Sequence, residues 1–178
     1  MRYFSNTKMA KKFREKDLHG CEECHGNHDV QKPFDDMVGT SPKAVCMDCH
    51  KEGDKGYMAA DSINQMLKQL VAVYDSAQVK REEVQKIGMD DIEIGYMLQE
   101  AHQSLIQART LVHTFDPKKV KAKTDEGLKK SQAALEMAIQ EIHDYAVRRR
   151  GFGVASLFMT MLVIALYLKI KEMEKKEQ

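Results

Sequence analysis

Apolar residues recur every three or four positions through three long stretches of the chain, and that spacing predicts three helices. From about Tyr57 to Ile87 one stripe runs through Ile63, Met66, Leu67, Leu70, Val71, Tyr74 and Ala77, all on one face of a 3.6-residue helix. Gly88 ends it. A second stripe, Ile92, Ile94, Met97, Leu98, Ala101, Leu105, Ala108 and Val112, follows Asp90 and Asp91, whose carboxylates suit a helix N-terminus. It stops at Asp116-Pro117. Pro117 takes the first position of a third helix, with Val120, Leu128, Leu135, Ala138, Ile139 and Ile142 as its buried side. Three amphipathic helices joined by short turns predict an antiparallel three-helix bundle over 57–149.

The third helix meets no stop signal before Gly151, and from there to Leu168 the chain runs 18 residues without a charge. At about 1.5 Å per residue the run is about 27 Å long, near the thickness of a bilayer's hydrocarbon core. A transmembrane helix is therefore expected over 150–170, continuous with the last bundle helix and followed by a short tail, 171–178. Arg148, Arg149 and Arg150 precede the run and Lys169, Lys171, Lys175 and Lys176 follow it, so basic residues do not orient it.

The first 56 residues differ in kind. They hold all four Cys, four of the seven His, two of the three Pro and half of the ten Gly. The cysteines fall in two copies of one motif, Cys21-Glu-Glu-Cys24-His25 and Cys46-Met-Asp-Cys49-His50. That spacing suits covalent haem attachment: two thiols add across the vinyl groups of one porphyrin, and the adjacent histidine reaches the iron. A zinc ribbon also uses paired Cys-x2-Cys motifs, but it has no use for a histidine after each second cysteine. A disulfide pair is the weaker third alternative. So short a segment builds little apolar core, so two covalently bound haem c groups would be its core, and 1–56 is expected to be a small irregular dihaem module. The whole is a mostly α fold.

Two six-coordinate irons need four axial ligands. Cys21, Cys24, Cys46 and Cys49 form the thioethers, and His25 and His50 supply the two proximal bonds. The second helix runs antiparallel to the first and returns His113 to the haem region, which makes it a distal candidate. His28, three residues after His25, cannot reach the far face of the same porphyrin and is a candidate for the neighbouring one. His19 and Met9 are weaker distal candidates, with Lys8 beside them; methionine would raise the reduction potential relative to a second imidazole. His102 lies about 16 Å down the helix from His113, and His143 about 39 Å along the third helix, so both are read as bundle or surface histidines.

Cys21-Glu-Glu-Cys-His-Gly-Asn-His28, the spacing to Cys46-Met-Asp-Cys-His50 and the segment Ala108-Arg-Thr-Leu-Val-His113-Thr-Phe resemble multihaem c-type cytochromes of anaerobic respiratory chains. In those proteins a compact haem module precedes a helical hairpin, often followed by a C-terminal membrane anchor. The resemblance implies electron transfer, with His25 and His50 proximal and His113 and His28 distal. It departs at the start: related chains commonly carry further haem motifs and a His-Gly pair about a dozen residues before the first Cys, where this chain reads Asn6-Thr7-Lys8-Met9-Ala10. That departure points to another subunit as the source of further haems. The first ten residues have no apolar stretch of signal-peptide type, so the export address is expected upstream of them or in the terminal span. Haem attachment belongs to the extracytoplasmic side, which sets the expected topology: a cell-membrane protein, haem module outside, tail inside.

Charge adds a negative result. The net charge of +1 gives no electrostatic support to nucleic-acid binding, and nothing resembles a nucleophile elbow, a phosphate loop or a carboxylate pair arranged for acid–base work. Lys8, Lys11, Lys12, Arg14 and Lys16 before the first motif, and Lys118, Lys119, Lys121 and Lys123 in the third helix, form either a solvated face or a surface for an acidic partner. The expected function is an electron carrier, no enzyme, relaying single electrons between redox proteins within a hetero-oligomeric complex of cytochrome or redox subunits, with membrane lipid as its other contact. The alternatives are a haem oxidoreductase or quinol-oxidising subunit, and a zinc-stabilised membrane scaffold.

Overall fold

A computed structural model describes residues 2–30 and 32–177; Met1 and Gln31, within the expected haem module, and Gln178, the end of the tail, lie outside the described residues. Six α-helices occur among the described residues: α1 (Arg2–Ser5), α2 (Lys8–Glu15), α3 (Glu22–His25), α4 (Lys55–Lys86), α5 (Ile92–Leu111) and α6 (Pro117–Glu177). Short 3-10 turns cover Asp35–Met37, Val45–Asp48 and Val112–Thr114. No strand occurs among the described residues.

Helices α4, α5 and the first half of α6 form the antiparallel bundle. Asp54 caps α4, its carboxylate accepting from the Tyr57 N–H at 2.7 Å. Gly88 ends it, with φ at 72°; the N–H of Met89 bonds back to the Val84 carbonyl and that of Gly88 to Gln85, which satisfies carbonyls of the last turn. Of the two aspartates at the next start, only Asp90 binds a helix amide, that of Ile92 at 3.0 Å. Asp91 turns back to α4 and accepts from Arg81 Nε and Gln85 Nε2, both at 2.7 Å, closing the hairpin. The Arg81 guanidinium and Gln85 amide hold its carboxyl below the usual carboxylate range. Asp116 accepts from the Lys118 N–H and so caps α6, with Pro117 at its first position.

The buried face of α6 differs from the expected one. Val120 and Ala138 are buried, but Ile139 is half exposed, and the seam is built from Thr124, Ser131 and Ala134 around Gly127. A Cβ on Gly127 would stand 2.9 Å from Leu70 Cδ2 and 3.2 Å from Ser104 Cβ. Small residues let three helices approach closely, so the contact places its large side chains, Ile63, Leu67 and Leu70 of α4 and Leu98 and Leu105 of α5, on the other two. Ile92, assigned to the second stripe, is exposed because it sits at the helix start beyond the hairpin closure. Gly127→Val is expected to overpack this seam and cost about 1–3 kcal/mol, read as a lower thermal midpoint of the helical circular-dichroism signal.

Beyond Ile142 α6 leaves the bundle and continues through the apolar run. Side chains from Phe152 to Tyr167 are at the surface, and the run has a mean hydropathy of 2.1 with none of its window buried. It is the one helix among the described residues long and apolar enough to cross a membrane. The 61 residues of α6 span about 92 Å, and the apolar run begins about 51 Å from its N-terminus.

The N-terminal segment packs on the bundle end where α5 turns into α6. Phe4 meets Phe13 and Phe115 edge-on, at centroid distances of 5.6 and 6.2 Å. Arg109 holds Asp35 through two bonds of 2.8 and 2.7 Å, Lys68 pairs with Asp36 at 2.8 Å, and Asn64 Nδ2 donates to the Asp35 carbonyl. These bonds fix the long irregular stretch after the first motif against α4 and α5.

Candidate functional site

The two motifs adopt similar local turns. In each, the histidine amide bonds to the carbonyl of the first cysteine, His25 to Cys21 and His50 to Cys46, both at 3.0 Å. Each motif's two cysteines and histidine thus lie within one turn of chain. All four cysteines are free thiols in the structure. Among the described residues no three His, Cys, Asp or Glu side chains converge on a metal-sized centre. Burial pushes the Cys24 thiol up from its ordinary value, and Cys46, Cys49, Glu23 and Asp48 nearby add to the effect.

Two cavities adjoin the motifs. The first, about 720 Å³, is lined by Cys46, Cys49 and His50 with Lys8, Met9 and the start of α4. The second, about 500 Å³, is lined by Cys24, His25, Met37, Arg109 and His113. Both lie in the size range of cofactor sites, roughly 300–1,000 Å³. They share Met9, Phe13, Leu18, Val38, Cys46, Cys49 and Phe115 as walls, so two groups held there would be neighbours. Phe115, between them, holds a left-handed φ of 49°, a strained conformation for a non-glycine residue, costing about 1–2 kcal/mol. It turns the chain from α5 into α6 and sets the ring at the partition.

The structure brings His113 to His25. Their ring centroids are 6.1 Å apart and their planes 27° from parallel. Carbonyl oxygen only accepts, so the contact of His113 Nδ1 with the Thr110 carbonyl at 3.0 Å places the proton on Nδ1 and leaves the Nε2 lone pair free. Metal-binding histidines are commonly oriented by such a bond.

His50 is oriented in the same manner. Its Nδ1 lies 3.2 Å from Asp54 Oδ2, and Asp54 also accepts from the amides of Lys51 and Tyr57 at 2.9 and 2.7 Å. Sequence reading missed Asp54 and its neighbour Gly56. A Cβ on Gly56 would overlap the His50 ring, so glycine is required where the imidazole lies against the first turn of α4. The Tyr57 and Lys51 amides, helped by His50, hold the Asp54 carboxyl down from 3.8 to about 2. A depressed folded value stabilises the contact fully above pH 3.8 and loses it as pH falls through about 2. Acid titration of the His50 site is therefore expected in that window, and Asp54→Asn should abolish it, as read in the absorption spectrum of a group bound there.

The other candidates lie elsewhere. His19 is exposed and contacts Glu22 at 3.1 Å; His28 is exposed and lines neither cavity. His102 stacks on Tyr74, centroids 5.9 Å apart, and His143 contacts Asp144 on the surface. Met9 lines both cavities and Lys8 the first.

Residues 11–55 match the family model of the doubled CXXCH motif. The matched stretch contains both motifs and ends at Lys55, the first residue of α4. No curated protein and no solved structure matches the chain. The doubled motif supports a c-type haem-binding module with covalently bound haem c, and the match takes in Cys21, Cys24, Cys46 and Cys49.

Proposed function

We propose that the chain is a membrane-anchored dihaem c-type cytochrome that relays single electrons between redox proteins, as a subunit of a larger multihaem complex. The observation that carries this reading is the doubled motif beside two adjoining cavities, with the His113 ring brought close to that of His25. Haem c supplies a reversible ferric–ferrous couple, and the protein supplies ligands and position. In this reading Cys21, Cys24, Cys46 and Cys49 hold the porphyrins, His25 and His113 form one axial pair, and His50, oriented by Asp54, is proximal at the second.

The run 151–168 spans the membrane in this reading, with the haem module on the extracytoplasmic side. The cavities sit at the N-terminal end of α6, about 51 Å from the start of that run. Electron tunnelling falls exponentially with distance, so the bundle acts as a spacer. The partner is then a redox protein or cytochrome subunit well above the bilayer, which favours relay over quinol oxidation. Spectroelectrochemical titration of the full chain in lipid vesicles should show two reversible one-electron couples and no haem reduction by an added water-insoluble quinol. Rapid quinol-dependent reduction would replace relay by the quinol-oxidising reading.

A further inference from the structure

The axial ligands of the second site are one histidine short. His25 and His113 face each other, His19 and His143 stand on the surface beside carboxylates, His102 stacks on Tyr74, and His28 lines neither cavity. His50 is the one histidine among the residues lining the larger cavity. The same cavity contains one methionine, Met9, half-buried in the first turn of α2. Thr7 fixes that turn: its Oγ1 accepts from the Ala10 N–H at 3.0 Å and donates to the Phe4 carbonyl at 2.8 Å. Phe13, one turn on, is buried, so the face of α2 that carries Met9 is packed against the partition between the cavities.

The charges around the two cavities also differ. The larger one is rimmed by Arg2, Lys8, Lys12, Lys16, Lys55 and Lys119 against the single acid Asp116. The smaller has Glu23, Asp35 and Asp48 against Lys32 and Arg109. A cationic surround disfavours the more positive ferric state, and a thioether ligand favours the ferrous state. Both effects act in the same direction.

We propose that Met9 Sδ is the sixth ligand at the His50 site, so that the two haems are unequal: a bis-imidazole haem of low potential at His25 and a thioether-ligated haem of high potential at His50. Electrons then run downhill from the first motif to the second and leave through the cation-rimmed cavity. This rests on the dihaem reading above. The test is the ferric spectrum and potentiometric titration of the full-length holoprotein, with Met9→Ala and Met9→His variants. Wild type should show the far-red methionine-to-iron charge-transfer band from one haem and two separated couples. Met9→Ala should lose the band and leave the bis-imidazole signal unchanged; Met9→His should restore a low-spin haem and bring the upper couple down towards the lower. A wild type with two bis-nitrogen low-spin haems, or a band that survives in Met9→Ala, overturns the proposal, as would loss of the second low-spin signal in Lys8→Ala alone. Absence of covalent haem in the haemochrome assay would instead overturn the dihaem reading itself.

Discussion

Replacing His113 with alanine is expected to convert one of the two haems from low-spin to high-spin and leave the other unchanged. The expectation rests on the 6.1 Å separation of the His25 and His113 rings and on the Thr110 carbonyl, which fixes the proton on Nδ1 and frees Nε2. Alanine removes the donor without touching the thioethers, so haem content should stay at two per chain while the potential of the altered haem rises through loss of an imidazole. His143→Ala, on the exposed surface of α6, should alter neither haem. Electron paramagnetic resonance of the ferric protein distinguishes these outcomes, because high- and low-spin signals are counted separately. An unchanged low-spin signal in His113→Ala would mean that the bundle only spaces the module from the membrane.

Gly56→Val is the second substitution with a large expected effect. The His50 ring occupies the space that any side chain at position 56 would need, and that ring is tied by Asp54 to the cap of α4. Neither neighbour can yield alone: moving the imidazole breaks its bond to Asp54, and moving Asp54 uncaps a 32-residue helix. Overpacking of this kind costs about 1–3 kcal/mol, and a lost cap about a further 1 kcal/mol. The covalent bonds are to cysteine, so both haems should remain attached. The second should lose its proximal histidine, visible as a high-spin signal at the His50 site with the His25 site intact. Gly95→Ala serves as a contrast, since its Cβ would meet the flexible end of Arg81.

These positions show why some of the molecule was legible in the sequence and some was not. The helices of the bundle and the apolar run follow from periodicity and length, which are local properties. Gly88 and Asp116-Pro117 mark real helix ends because a left-handed residue and a missing amide act on the backbone wherever they stand. The return of His113 towards the motif end of the bundle was legible in direction, since α5 runs antiparallel to α4, although its 20 residues retrace only about 30 Å of the roughly 48 Å of the 32-residue α4; that His113 lies beside His25 in particular was not. The seam of Thr124, Gly127, Ser131 and Ala134 was not, because an apolar stripe is read from large residues whereas close helix packing selects small ones. Asp54 and Gly56 were missed for a different reason. Both act on His50 from four and six residues away, and the aspartate is also the cap of α4. The cap signal was present in the sequence, but which side chain shares that carboxylate, and which ring fills the space beside the glycine, depends on how the chain turns from the second motif into α4. The empty register of histidines at the second site emerges only when each ring has been placed.

The most direct measurement of the central claim is a pyridine haemochrome spectrum of the acid–acetone-extracted, denatured protein, with iron and zinc measured on the same sample. Two haems per chain that survive extraction, the spectrum of a porphyrin with both vinyl groups converted to thioethers, and two irons without zinc are expected from motifs at Cys21–His25 and Cys46–His50. Zinc bound to the chain and no extraction-resistant haem would contradict it.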